Sequence, residues 1–290
     1  MVGEILEVLG PGPGGVYCDA TVGTAGHARA LLDASGPDGR LVGVDRDADA
    51  LAVAERRLSE FPADRWVLRH GTFSGLGEAL RSCGVETCDG ILADLGVSSL
   101  QLDDPDRGFS FMRDGPLDMR MDRSVPGTAL DVLRGSGRNT LERILLEWGD
   151  ERLAARVASR VHEAARLGRV RSTTDLAREV REAVGRPRSG GVDSATRSFQ
   201  AIRMAVNREV EELEALLGAV MSLLRPAGVF ACLTYHSIED RLVKRAIRAL
   251  VRSGEGDLLT RRPIVPSAGE VHANRRARSA KLRAIRRRAG

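Results

Sequence analysis

Three aspartates stand where an apolar run breaks: Asp19 after Val16-Tyr17-Cys18, Asp45 after Leu41-Val42-Gly43-Val44, and Asp94 after Ile91-Leu92-Ala93. A carboxylate at the end of a buried strand attracts cations and accepts hydrogen bonds where water is scarce. In open α/β sheets, ligands bind at the carboxyl ends of the strands. Beyond Asp94 the chain continues as GVSSLQLDDPDRGFSFMRDGPLDMRMD to Asp122, setting Phe109, Phe111, Met112, Met119 and Met121 among arginines and carboxylates. Solvated loops seldom mix apolar and charged side chains so densely. The stretch is therefore read as the mouth of a site, with a plain solvated loop as the alternative.

The run DATVGTAGHARALL after the first strand has the order strand, glycine loop, helix. Gly23 and Gly26 let the backbone approach a ligand, and the helix start offers free N–H groups. Asp45 ends the second strand at the roughly 20-residue spacing that suits an acid bonding the hydroxyls of an adenosine ribose. The loop lacks a full GxGxxG. Asp19, just ahead of the glycines, would repel a pyrophosphate but welcome the ammonium group of S-adenosylmethionine. Helix capping by Asp19 and Asp45 is the competing reading. Phe73, after the third strand, either stacks on adenine or packs in the core. Thr234-Tyr235-His236-Ser237 closes a fifth strand that belongs beside Asp94, so His236 is a site candidate as well as a candidate structural histidine.

These side chains need a scaffold of alternating strands and helices. Strands at Val16–Cys18, Arg40–Val44, Trp66–Leu68, Gly90–Ala93 and Val229–Leu233, with helices such as 48–58 between them, predict βαβ units in a doubly wound, Rossmann-like α/β sheet. From Asp103 to about Ser194 the pattern turns helical. Leu141, Ile144, Leu145 and Trp148 form one stripe, Leu153, Val157, Val161 and Ala164 a second, and Leu176, Val180 and Val184 a third. The reading is residues 1–102 as the first part of the sheet domain, 103–194 as an all-helical insertion, and 195–290 as the second part with a basic end. Gly185 to Ser194 reads as a flexible link, and a single long helix is expected over 195–224. Leu258–Ile264 and Ser279–Ile285 suggest a closing hairpin, which fits a methyltransferase better than a dehydrogenase.

With 290 residues, 42% of them apolar and 29% charged, the chain can bury a large core, and wholesale disorder is excluded. No run is long enough to span a membrane and the first residues show no secretory signal pattern, so the expected location is the cytoplasm and no membrane partner is expected. Cys18, Cys83, Cys88 and Cys232 show no metal-binding spacing and read as packed thiols; no metal is called for. The net charge of +4 hides an asymmetry. Residues 241–290 carry 15 Arg/Lys against 3 Asp/Glu, a local +12 that leaves −8 on the rest. Such an arginine-rich end suits phosphate contacts. Arg152, Arg156 and Arg160 also share a helix face, which could hold an RNA backbone or be an ordinary solvated face.

Taken together, DATVGTAGH, the block from Asp94 to Asp122, WGDERLAARVA, SATRSFQAIRMAVN, TYHSIEDRLVKR and NRRARSAKLR resemble the RsmH/MraW family, in family order and over nearly the whole chain. The resemblance implies a class I S-adenosylmethionine-dependent methyltransferase sheet with a helical substrate-recognition insertion. It also implies methylation of N4 of a decoding-centre cytosine in 16S rRNA, within the small ribosomal subunit. It maps cofactor contacts onto Ala25, Gly26, His27, Asp45, Phe73, Asp94 and Gln101, to which the residue reading adds Asp19. Asp94, with the Leu95 carbonyl, is the candidate acceptor of the amine hydrogens, and His236 the candidate proton relay. The substrate-facing set expected on this reading is Ser98, Arg107, Phe109, Phe111, Arg113, Arg120, Arg203 and Tyr235. Two departures stand out. Relatives carry a short His-containing segment ahead of the first helix, whereas this chain begins at MVGEIL. Ala25 also replaces a common glycine; its Cβ restricts it to negative φ and so implies a different loop path.

Two rivals remain at this level, a Rossmann dehydrogenase and a non-catalytic RNA-binding module. The incomplete glycine fingerprint and Asp19 speak against the first, and the cofactor pocket expected at the strand ends against the second. Oligomeric state is open, with a homodimer as one expectation.

Overall fold

The computed structural model describes residues 1–185 and 193–289. The link read over 185–194 therefore falls, for 186–192, outside the described residues. The chain forms two compact units, Met1–Gly96 with Val210–Gly290, and Val97–Glu209.

In the first unit, β1 (Val16–Asp19), β2 (Arg40–Asp45), β3 (Trp66–His70) and β4 (Cys88–Asp94) alternate with α1 (Val2–Leu9), α2 (Gly26–Ala34), α3 (Ala48–Leu58) and α4 (Leu76–Ser82). The second unit is helical: α5 (Ser99–Asp103), α6 (Ala129–Gly135), α7 (Arg138–Gly149), α8 (Ala154–Arg166), α9 (Thr173–Val184) and α10 (Ala195–Asn207). The chain then returns through α11 (Glu209–Leu223), β5 (Leu224–Thr234), α12 (Ser237–Arg252), β6 (Gly256–Leu258), α13 (Ala268–Ala273) and β7 (Lys281–Arg287). The sheet order is β3-β2-β1-β4-β5-β7-β6. β1 to β5 run parallel, while β7 pairs antiparallel with both β5 and β6. An antiparallel β6–β7 pair does close the sheet, but β6 meets the strand expected over 258–264 only at Leu258, and Ile264 adds a single isolated bridge to Leu282.

The order reverses at β1 and β4, so a crevice must open at the carboxyl ends of those strands. Both faces of the sheet are covered, and this explains the continuous apolar runs in its central strands. Cys18, Val42, Ile91 and Phe230 pack on one face with residues of α4, α11 and α12. Their strand neighbours Tyr17, Leu41, Leu92 and Ala231 pack on the other with α1, α2 and α3. Each such fully buried Leu, Ile or Phe contributes about 1.5–3 kcal/mol. That packing fixes where each strand ends.

In the second unit, Leu141, Ile144 and Leu145 of α7, Val157 and Val161 of α8, Leu176 and Val180 of α9 and Phe199 and Ile202 of α10 share one core. The single helix expected over 195–224 is in fact two. Arg208 adopts the left-handed conformation (φ 49°) and ends α10. No apolar stripe reveals this, because the stripe carries on past the break. Just before it, buried Asn207 accepts from the Met121 N–H (2.7 Å) and donates to the Met119 carbonyl (2.7 Å). It pins the loop that follows Asp118 to the helix end.

Asn207→Ala would leave the Met121 N–H and Met119 C=O buried without this partner, a loss of roughly 2–4 kcal/mol. Thermal unfolding should show a midpoint several degrees lower; an unchanged midpoint would mean the clamp carries no stability.

Candidate active site

The carboxyl ends of β1, β2 and β4 bring Asp19, Asp45 and Asp94 to one edge of the sheet. β1 pairs with both neighbours, setting Asp19 opposite Gly43 and Leu92. Asp19 is 1% exposed. Its Oδ1 accepts from the Thr21 N–H (3.2 Å) and hydroxyl (3.4 Å), while Oδ2 is buried with no partner. The same Thr21 hydroxyl accepts from the Asp94 N–H at 2.6 Å. Asp45 accepts from the N–H groups of Gly23 (2.8 Å) and Asp47 (2.9 Å), tying the glycine loop to β2 and shaping the entry to α3. A carboxylate has about four acceptor positions, so these bonds leave Asp45 room for ribose hydroxyls.

The loop itself corrects one expectation. Ala25 does not keep to negative φ: it sits at φ 64°, ψ 26° as the residue before α2. Its N–H bonds the Val22 carbonyl at 2.7 Å, closing a turn that the left-handed conformation completes. For an L-residue this costs about 1–2 kcal/mol. A Cβ on Gly26 would meet nothing within 4 Å, so the helix start faces open space. His27, in the first turn of α2, places Nδ1 3.5 Å from Asp94 Oδ2. Phe73, beyond β3, is half-buried and packed against the core.

Burial sets the electrostatics. Asp19 is pushed up to about 7, chiefly by desolvation and further by the charges of Asp94 and Asp45. Asp45 and Asp94 are also raised by burial; His27 and the Tyr235 hydroxyl partly offset the effect at Asp94. Burial lowers His27 against the opposing pull of Asp94, so at neutral pH it is an uncharged neighbour. Three clustered carboxylates, one with an orphaned oxygen, form a receptor for positive charge.

β5 completes the edge. Asp94 lies opposite Leu233, and the Leu95 N–H bonds the Leu233 carbonyl at 3.0 Å. This register brings the Tyr235 hydroxyl to Asp94 Oδ1 at 2.7 Å. Gly96 (φ 92°) gives that ring space, since a Cβ there would come 3.4 Å from Tyr235 Cδ2. His236 caps α12: its Nδ1 accepts from the Glu239 N–H, and its Nε2 lies 3.0 Å from Glu239 Oε1. Glu239, 4% exposed, also accepts from the backbone N–H groups of Tyr235 and His236.

The sequence candidates in the second unit are engaged within it. Ser98 and Gln101 form a reciprocal capping box at the start of α5. Arg107, 2% exposed, donates to the Arg120 (3.1 Å) and Met121 (2.9 Å) carbonyls, with its guanidinium 5.8 Å from the Phe109 ring. Phe109 is buried; Phe111 meets Phe199 edge-on at 4.7 Å and has Arg181 over its ring. Arg113 donates to the Asp103 carbonyl, Arg120 grips Asp118, and Arg203 pairs with Glu209 through two 2.8 Å bonds. Each has a role in holding its own unit together.

Comparison with known proteins now decides the family. The profile of the MraW methylase family matches residues 1–288. This chain belongs to the MraW methylase family. It is 48% identical over 284 residues to the ribosomal RNA small subunit methyltransferase H of Sorangium cellulosum, covering 98% of this chain and 88% of that one. Against the protein of the same name from Geobacter sulfurreducens it is 46% identical over 302 residues, covering 98% and 96%. Among solved structures, an rRNA methylase from Streptococcus thermophilus aligns over 99% of this chain and 94% of its own, at 11% identity and a TM-score of 0.45. As an MraW methylase, the chain has the Rossmann-like α/β methyltransferase sheet, closed by the antiparallel β7.

Within this MraW methylase, sequence reading missed Thr21 and Glu239. Thr21 bridges Asp19 and Asp94 across two strands, and no local pattern announces that. Glu239 did carry a signal: it stands three residues after His236 at a helix start, the spacing of a capping box.

An Asp19 raised from 3.8 to about 7 holds, when folded, a proton that the unfolded chain releases. Its stabilising contribution is complete below about pH 4, fades as pH rises towards 7, and stays lost above. In the ligand-free protein, Asp19→Asn should therefore raise stability at pH 8 by roughly 2 kcal/mol or more, and by much less at pH 5. Denaturant titration at the two pH values checks this; an equal effect at both would remove Asp19 as the strained charge.

Proposed function

We propose that this chain methylates N4 of a cytosine in the decoding centre of 16S rRNA, with S-adenosylmethionine as methyl donor and the small ribosomal subunit as the setting. The observation that carries the reading is the Asp94–Tyr235 pair. A carboxylate at the end of β4 is held on one oxygen by a hydroxyl from the adjacent β5, while its other oxygen faces neutral His27. The relatives' shared name supports small-subunit rRNA as the acceptor.

S-adenosylmethionine supplies a methyl group on a positively charged sulfur. The residues present fit it: Asp19, with its orphaned Oδ2, would meet positive charge, Asp45 would meet the ribose, and half-buried Phe73 would meet the adenine. Cytosine N4 is a weak nucleophile because its lone pair conjugates with the ring. Asp94 would accept one N4–H, favouring pyramidal nitrogen, and take the proton displaced as the N–C bond forms and the methyl–sulfur bond breaks, its electron pair staying on the then neutral sulfur. Burial suits it to this work, because it raises the affinity of the carboxylate for a proton. The Leu95 carbonyl remains the candidate acceptor for the second N–H. Tyr235 fixes the rotamer of Asp94, and Glu239, itself bonded to His236, holds the Tyr235 backbone.

The test is transfer of labelled methyl from S-adenosylmethionine to small subunits lacking the modification, with the product nucleoside identified by mass spectrometry. N4-methylcytidine at one decoding-centre position is the expected product; another methylated nucleoside would overturn the acceptor assignment. Asp94→Asn should lower kcat by about 10²–10⁴-fold. Rate should fall as Asp94 protonates, so the acid limb of the pH–rate profile lies above the ordinary carboxylate range. Tyr235→Phe removes a bond that favours the ionised form and should shift that limb to higher pH; a shift downwards would contradict the arrangement.

A further inference from the structure

The outer face of α12 carries Arg241, Arg245, Arg248 and Arg252, all exposed. Their spacings of four, three and four residues put them on one line of the helix, about 16 Å from end to end. The opposite face, with Val243 and Ile247, is buried in the sheet core. No position three or four residues from Arg245 or Arg248 holds a carboxylate. Among the described residues, no ion-pair partner accompanies Arg245, Arg248 or Arg252. Asp240, the one aspartate on α12, is taken up by Arg283 and Lys281 of β7.

Like charges at these spacings each cost a helix about 0.2–0.5 kcal/mol. Among the described residues, no ion pair relieves that repulsion at Arg245, Arg248 or Arg252. On α8, by contrast, Arg160 pairs with Glu179 (2.9 Å) and with Glu182.

The start of α12 is part of the site. Glu239, in its first turn, holds the backbone at Tyr235, whose hydroxyl bonds Asp94. The arginine line thus begins about one turn beyond the acceptor and runs away from it along one rigid element. We infer that the outer face of α12 is a docking rail for the sugar-phosphate backbone of the substrate RNA, binding several consecutive phosphates and feeding the target nucleotide towards Asp94. This rests on the rRNA methyltransferase reading and adds a surface to it. Phosphate contacts of this kind position RNA without reading its sequence.

The experiment compares the parent with Arg245→Gln/Arg248→Gln/Arg252→Gln and with a charge-matched control on exposed arginines of the same unit, Arg40→Gln/Arg56→Gln/Arg81→Gln. Binding to small ribosomal subunits lacking the modification, and to anionic phospholipid vesicles, is measured from 50 to 300 mM salt, alongside S-adenosylmethionine binding and methyl transfer. For the α12 variant, the slope of log Kd against log salt should fall by about 2. Its affinity at low salt and its KM for RNA should worsen at least tenfold, with kcat within about twofold and cofactor binding unchanged. The control should move far less. Equal losses in both variants, or parental affinity and slope in the α12 variant, would overturn the rail while the parent's methyl transfer leaves the wider reading standing. A parent that binds cofactor but neither binds nor methylates RNA would overturn both. Loss confined to anionic phospholipid vesicles would overturn the RNA rail in favour of a membrane surface.

Discussion

Everything at the site depends on keeping negative charge where water is scarce. Asp19, Asp45 and Asp94 end three adjacent parallel strands, so the sheet cannot form without bringing them together. The apolar strands hold them there, and a few bonds make the cluster tolerable. Thr21 ties Asp19 to the end of β4, Gly23 and Asp47 occupy Asp45, and Tyr235 occupies one oxygen of Asp94. Asp19 Oδ2 remains without a partner. The folded chain thus stores an electrostatic cost, and on the proposed reading the positive charge of the methyl donor relieves it.

The second unit spends its charges differently. Its arginines and asparagine close loops: Arg107 gathers the Arg120 and Met121 carbonyls, Asn207 the Met119 and Met121 backbone, and Arg120 its neighbour Asp118. Gly108 (φ 72°) shows how tightly this is drawn, since a Cβ there would lie 2.3 Å from the Pro116 carbonyl oxygen. The mixture of arginine, carboxylate and apolar residues that makes this stretch look functional is largely what lets an irregular loop fold against a helical core.

Much of the first unit was legible because two periodicities are strong in it. Strand runs ending in aspartate, and helices such as α3, announce themselves by burial pattern, and the carboxylates by their position at the strand ends. The break at Arg208 was hidden because a left-handed residue leaves the apolar spacing around it intact. Ala25 was misread for a related reason: steric preference argues against positive φ, yet a turn closed by the Val22 carbonyl overrides it. In the second unit, residue type suggests RNA contacts for Arg107, Phe109 and Phe111; that Arg107 and Phe109 are buried and Phe111 packs on Phe199 are tertiary properties that no spacing reveals.

The most direct test of this account is calorimetry of S-adenosylmethionine binding near pH 7 in buffers of different ionisation enthalpy. If the ligand's positive charge settles against Asp19, binding expels the proton held there: a substantial fraction of one proton should be released for the parent and almost none for Asp19→Asn. Equal proton release from both, or none from the parent, would contradict the claim that the buried carboxylates are built to receive a cation.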